Sequence, residues 1–443
     1  MKQFKKNALV VTLSMLSSAA LHAQTNTTAE IEQLRNEINA LKQMLQQNTQ
    51  QQQQQAVQLS AVERQVLTTP KTVEKTGLGL TKGGAEFNLY GNVRADASYQ
   101  AEGGARDMPY NQINSVPLEG NAENSDRLRS TLSATRLGLD FKAPIADQNL
   151  NAKIEVDFLG GANLDNLRIR HAYLNYGNWL IGQTWSNFAT PDYIPETIDA
   201  LAYVGASIKR TPQVRYTHKF TPNTNLIAAV EDPKDASISQ RMPAFTGRLN
   251  HKFNDALSVS GRAMAHEKRI QNQEEWAYGV GVGAKFDITP VTSVKADYYH
   301  VKGDSSFVSF TNPGVVATGT SIEQSEFDSI TVGLTQKFND KLRGTLAYGY
   351  MTFDKNQDYL DAVADDTKIN KNLWQAWGNL FYSPVQPVSL GVEYVYGERE
   401  AFAPAANGSK KGEDNRVNLV AIYGGVLKSM LTLNEAIIDV KEG

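Results

Sequence analysis

From Phe87 onward the chain alternates, apolar at one position and polar at the next. Phe87, Leu89, Gly91, Val93, Ala95, Ala97 and Tyr99 are interleaved with Asn88, Tyr90, Asn92, Arg94, Asp96 and Ser98. Leu150, Ala152, Ile154, Val156 and Phe158 are interleaved with Asn151, Lys153, Glu155 and Asp157. Trp276, Tyr278, Val280, Val282, Ala284 and Phe286 stand mostly between glycine and alanine, and Val388, Leu390, Val392, Tyr394 and Tyr396 repeat the pattern. A period of two belongs to a strand, whose successive side chains point to opposite faces. Each run is about ten residues, the length of a tilted strand that crosses a bilayer. Strands of a soluble sandwich usually run to about five or six. No helical period separates these strands, so a βα architecture is not expected.

Turn signals set the strand count. Short turns are read at 143–147, 177–178, 221–223, 254–255, 287–290, 339–340 and 383–384, each a turn dipeptide or a near relative of one. Longer polar segments lie between them, at 101–128, 303–325, 355–370 and 398–414. Seven short turns on one side make seven hairpins; with a free first and last strand, the count is sixteen. Short turns on one side and long loops on the other mark an outer-membrane barrel. Phe141, Phe220, Phe253, Phe286, Phe338 and Tyr382 each precede a short turn, as an interfacial aromatic girdle requires. The fold class expected is therefore an all-β transmembrane barrel of about sixteen antiparallel strands, and a cylinder of that size leaves an aqueous channel.

The pattern before Phe87 differs. Lys2, Lys5 and Lys6, an apolar core over 8–20 and Leu-His-Ala ending at Ala23 read as a secretory signal, residues 1–23. Leu21 stands where such signals usually carry a small residue. Over 24–69, Ile31, Leu34, Ile38, Leu41 and Leu45 keep the alternating three-and-four spacing of a coiled-coil seam, and the phase returns at Leu59, Val62 and Val66. Thr69-Pro70 ends that pattern, since proline cannot continue a helix. A glycine-bearing linker is expected over 70–86 and the barrel over 87–423. Residues 424–443 lose the period of two and read as an atypical tail.

Charge and chemistry narrow the function. The net charge is −3 and cysteine is absent, so neither names a partner. The six histidines show no metal spacing, and no nucleophile elbow or Walker loop occurs. No catalytic residue, metal or cofactor is assigned, and no basic stripe interleaved with aromatics suggests nucleic acid. A pore needs an attractive but leaky site, so basic residues on polar faces are the candidates. They are Arg94, Arg136, Lys153, Arg168, Arg170, Lys209, Arg210, Arg215, Arg248 and Arg262. Arginine suits a carboxylate because its planar fork donates two parallel hydrogen bonds and stays charged. Residues 186–211 interrupt the strand rhythm, with Pro191 and Pro195 inside and Asp192, Glu196 and Asp199 along them.

Several stretches resemble the DcaP-like outer-membrane porins: the seam around 31–45, Phe-Asn-Leu-Tyr-Gly at 87–91, Arg-Ile-Arg-His-Ala-Tyr-Leu at 168–174, Ile-Gly-Gln-Thr-Trp-Ser-Asn-Phe at 181–188 and Arg-Val-Asn-Leu-Val-Ala-Ile-Tyr at 416–423. That resemblance implies a homotrimer in the Gram-negative outer membrane, with its N-terminal helices in the periplasm. It implies uptake of small anionic dicarboxylates such as phthalate or succinate, and a constriction loop in the 186–211 segment. The seam's own Ile and Leu pattern favours two chains rather than three, so the two indications disagree. Two other roles stay open at this point: an anchor tied to peptidoglycan by the coiled coil, and a surface adhesin or receptor.

Overall fold

A computed structural model describes residues 79–82 and 84–426. The signal, the seam residues Ile31 to Leu45 and the tail beyond 426 lie outside the described residues. Among those described, eighteen strand segments form one antiparallel sheet. Two of them are accessory pieces, Gly79–Lys82 and Arg127–Thr131, and the other sixteen span. In chain order the first eight are β1 (Ala85–Glu102), β2 (Arg136–Ile145), β3 (Gln148–Gly160), β4 (Asn166–Tyr176), β5 (Trp179–Trp185), β6 (Arg210–Thr221), β7 (Thr224–Glu231) and β8 (Ala244–Lys252). The second eight are β9 (Leu257–Ile270), β10 (Gln273–Thr289), β11 (Thr292–Lys302), β12 (Glu326–Lys337), β13 (Leu342–Phe353), β14 (Asn370–Tyr382), β15 (Val388–Ala401) and β16 (Lys411–Val426).

Each spanning strand pairs with its chain neighbours, and β1 pairs with both β2 and β16, with Val93 opposite Tyr423. The sheet is therefore a closed cylinder, which leaves no open edge inside the membrane. Arg127–Thr131 continues β2 upward along β1, where Tyr99 faces Leu128. Two boundaries differ from the sequence reading. The segment 79–82 was expected in a linker, yet it pairs with Ala85 to Asn88. The reason is local: β16 pairs with β1 only up to Tyr90, so the start of β1 keeps free backbone groups that the arm satisfies. The last strand also runs to Val426 rather than stopping at Tyr423.

Each of the seven short turns falls within or directly beside the residues read for it, although Ala143 to Ile145 and Asp287 to Thr289, read as turn, prolong their strands. The period of two sorts the faces as expected. Val282 is 53% exposed on the outer face, and its neighbours Gly281 and Gly283 face inward. Phe220, Phe253, Phe286, Phe338 and Tyr382 are exposed near the short turns, while Phe141 leans on Phe87 with ring centroids 4.9 Å apart.

On the other rim the loops are longer, and one of them, 186–209, folds inward and lies along the inner wall. Glycines make room for it. A Cβ on Gly279 would stand 2.8 Å from the Phe188 ring, and a Cβ on Gly349 would strike the Val204 carbonyl. Gly283 and Gly333 leave the same kind of space for Tyr193 and Pro195. Phe188 and Val204 then join a buried cluster with Met264, Tyr299, Met351 and Leu373 of the wall. Segments of the other loops, Ile113 to Val116 and Phe307 to Phe310, enter the same cluster, so the core of this barrel lies in its lumen.

Candidate functional site

The inward loop divides the lumen into two walls. It covers the inner face from β7 to β16 and leaves most of the face of β1 to β6 bare. Asp192, Glu196 and Asp199 are expected from the sequence to be charges of a constriction loop. The structure places all three on that loop and pairs each with an arginine of the covered wall. Asp192 Oδ2 accepts from Arg248 at 2.5 Å, Glu196 Oε1 from Arg343 at 2.7 Å, and Asp199 Oδ2 lies 2.9 Å from Arg416 Nη2. Burial would raise Asp192, but the Arg248 guanidinium holds its carboxyl below the usual range.

Two residues expected on the pore surface thus serve the loop instead. Arg262, whose side chain is 0% exposed, is sealed behind it. It pairs with Asp297 and donates to Tyr299 Oη and, at 3.4 Å, to the Phe188 carbonyl. Arg248 is spent on Asp192 and on Asn250 Oδ1 at 2.6 Å. The physical reason is that a loop lying inside a barrel must satisfy its own backbone and charges there, and arginine reaches furthest.

Sequence reasoning missed Arg343 and Arg416 as loop anchors. It also missed Glu393, which is fully buried. Its carboxylate accepts from Ile198 N at 2.9 Å, Thr197 Oγ1 at 3.2 Å and Tyr203 Oη at 2.5 Å. No sequence signal marks these partners, because their separations in the chain run from 147 to more than 190 residues.

The bare wall is built in register. Arg136 of β2, Asp157 of β3 and Arg168 of β4 stand side by side. The next inward row holds Tyr90, Gly138, Glu155 and His171, and the row below holds Asn88, Asp140, Lys153 and Tyr173. Arg168 grips Asp157 with two hydrogen bonds of 2.9 and 2.7 Å. Arg170 is buried and reaches Glu155 at 2.6 Å and Asp157 at 3.2 Å. Arg94 is paired with Asp96 and also donates to the Ile198 carbonyl of the inward loop. Lys153 lies 2.9 Å from Asp140 and 2.9 Å from Tyr90 Oη. His171 hydrogen-bonds Thr184 through Nδ1 at 3.0 Å and stacks edge-on against Trp185.

The pairing is incomplete, and the excess is positive. Arg136 comes no closer than 3.9 Å to Glu155, and its Nε has no partner. Arg210 lies over the Trp185 ring at 4.6 Å, with Arg170 5.8 Å from the same ring. Among the described residues no carboxylate comes within 4 Å of Arg210, Arg215 or Lys209. Five guanidinium groups, those of Arg94, Arg136, Arg168, Arg170 and Arg210, therefore cluster around three carboxylates, those of Asp96, Glu155 and Asp157.

At the long-loop rim, Asp304 ties two outer loops to β9. Burial would raise it, yet Lys268 Nζ at 2.6 Å and His266 Nδ1 at 2.9 Å hold its carboxyl well below its ordinary 3.8. His266 also meets Gln240 Oε1 at 2.9 Å and Lys268 meets Asp235 at 2.7 Å, so loops 232–243 and 303–325 share one buried knot. A depressed carboxyl contributes stability that is present above its ordinary value and lost only as pH falls through the lower folded value. Limited proteolysis across pH should find both loops protected down to below pH 3.8 in the native protein. Asp304→Asn should open them at neutral pH, and equal cutting rates for the two proteins would reject the knot.

A closed sixteen-stranded cylinder with a loop folded into its lumen is a porin-type channel. A family model, the DcaP outer membrane protein, matches residues 16–424. The outer membrane channel DcaP of Acinetobacter baumannii is 39% identical, over 78% of this chain and 99% of that one, with a TM-score of 0.70. The chain belongs to the DcaP outer membrane protein family. It is an outer-membrane channel protein, and its relatives are channels rather than enzymes. More distant structures share the fold alone. The anion-selective porin from Comamonas acidovorans is 10% identical, covering 77% of this chain and 100% of that one at a TM-score of 0.51. The Salmonella typhi OmpF complex with daunomycin is 16% identical, covering 79% and 100% at 0.51. No curated protein matches.

Proposed function

We propose that this chain is a passive pore for small hydrophilic solutes, that it favours anions, and that among anions it favours dicarboxylates such as phthalate or succinate. The observation that carries the reading is the surplus of guanidinium groups on the wall that the loop leaves bare. A diacid can engage two under-paired groups among Arg136, Arg210 and Arg215 in turn, whereas a monoacid engages one at a time. At about 4 Å and an effective dielectric near 20, each contact is worth on the order of 4 kcal/mol before desolvation is subtracted. Reconstitution in planar bilayers under a salt gradient tests this. The reversal potential should show anions crossing faster than cations, and succinate should interrupt the current more than acetate. Equal permeabilities for anions and cations would overturn the reading.

We also assign the outer face of β2 to β5 to contacts between three copies. β5 has seven residues, short of the roughly 9–11 that a strand facing lipid needs. That face carries Leu137, Ile154, Ile169, Leu174 and Ile181, all exposed. Partner subunits would cover it, and the seam at 31–45 would hold the same three chains on the periplasmic side, within reach of peptidoglycan. Ile154→Arg should dissociate trimers on semi-native gels. Val282→Arg, on the opposite wall, should cost roughly 2–4 kcal/mol through lipid contact and leave the oligomer intact. Undiminished trimers in Ile154→Arg would place the interface elsewhere.

A further inference from the structure

A cavity of about 450 Å³ opens between three loops, above the basic wall. Its sides come from Gln112, from Leu201 and Lys209 of the inward loop, and from Ser305 to Pro313. The size suits a small ligand. Its walls are held in place, because Phe307, Val308 and Phe310 of its lining also belong to the buried lumen cluster. Phe310 is held there at a φ of 67°, a conformation that a bulky residue adopts only when its surroundings enforce it.

What remains facing the cavity is rich in donors. The Lys209 ammonium has no carboxylate within 4 Å. Asp304, the carboxylate that influences it most, is already committed to Lys268 and His266. The hydroxyls of Ser305 and Ser309 and the amide of Gln112 make no side-chain hydrogen bond with the described residues. One free cation surrounded by free hydroxyl and amide groups fits an anion that carries several hydroxyls of its own. A purely apolar acid would leave those groups unpaired, which is costly in a partly buried site.

We propose that this cavity is a vestibule site for a hydroxylated carboxylate, a sugar acid in chemical class, with its carboxylate on Lys209 and its hydroxyls on Ser305, Ser309 and Gln112. Lys209 is followed directly by Arg210, which shares Trp185 with Arg170. An anion released from Lys209 therefore meets the basic wall next. The site deepens the anion-pore reading and rests on the channel being open.

The test uses the full chain in planar bilayers, with gluconate, acetate and glucose each added at low concentration to the long-loop side in constant potassium chloride. Gluconate should reduce the current at concentrations about fivefold lower than either of the others, because acetate brings the carboxylate without the hydroxyls and glucose the hydroxyls without the carboxylate. Lys209→Gln should weaken the gluconate effect about fivefold, and Lys209→Arg should keep most of it. Ser305→Ala with Ser309→Ala should bring gluconate close to acetate. Equal effects of gluconate and acetate on the native channel, or no change in Lys209→Gln, would overturn the site. Either result with the anion preference intact would leave the pore reading standing. A lost anion preference with gluconate still acting through Lys209 would sink that reading and keep the site.

Discussion

Replacing Arg416 by methionine is expected to loosen the inward loop and to cost the barrel about 3–5 kcal/mol, the range for removing one partner of a buried ion pair. Arg416 is 1% exposed. It joins Asp199 of the loop at 2.9 Å, the Asn111 carbonyl of another loop at 2.6 Å, and Asp414 of its own strand at 3.8 Å. The Tyr203 ring lies 5.3 Å from its guanidinium. Methionine fills much of the volume and none of the charge, so Asp199 and Asp414 are left buried together. The loop then has reason to leave the wall. Single-channel records should change from steady steps to flicker, and heat-induced unfolding should begin earlier. Adding Asp199→Asn removes one stranded charge and should recover part of the loss. A single variant as quiet and as heat-stable as the native channel would remove Arg416 from its place as the loop's anchor.

The second large effect is on selectivity. Arg168→Glu should move the anion-to-cation permeability ratio down by about an order of magnitude. An ion about 10 Å away in water feels about 0.4 kcal/mol per unit charge. Reversal changes two charges, hence about 0.8 kcal/mol, which is roughly fourfold against anions and as much in favour of cations. Arg168→Gln should give about half that free energy. Arg168 is the better choice over Arg170 because it faces water more, and Arg170 still reaches Asp157 at 3.2 Å in the variant. Salt should shrink the effect, since the screening length falls to about 3 Å at 1 M. Reversal potentials that coincide for all three proteins would show that these arginines do not set the field of the pore.

The cylinder itself was legible in the chain, and for a simple reason. Alternation and turn chemistry are local, so Val280 and Val282 against Gly279 and Gly281, or Asn254-Asp255 after Phe253, carry their meaning within a few residues. The candidate arginines were legible as inward-facing, again from alternation. What each one does was not. Arg136 and Arg262 look alike along the sequence, yet one is under-paired on the bare wall and the other is sealed against Asp297. The difference is made by a loop that lies inside the lumen, and contacts at such separations have no periodic trace. One clue was visible without its meaning. Glycine on the inner positions of β10 weakens a strand unless something must come close to it, and here that something is the loop.

Because the loop packs against the wall of β7 to β16, the space left clear lies along the basic wall. On the proposed anion path, a solute would slide along a charged rail with the crowded loop at its back. The limit on what passes is then set by thickness in one direction more than by mass. A flat, rigid acid lying against β2 to β4 should outpace a rounder one of equal weight, and its charged end should lead.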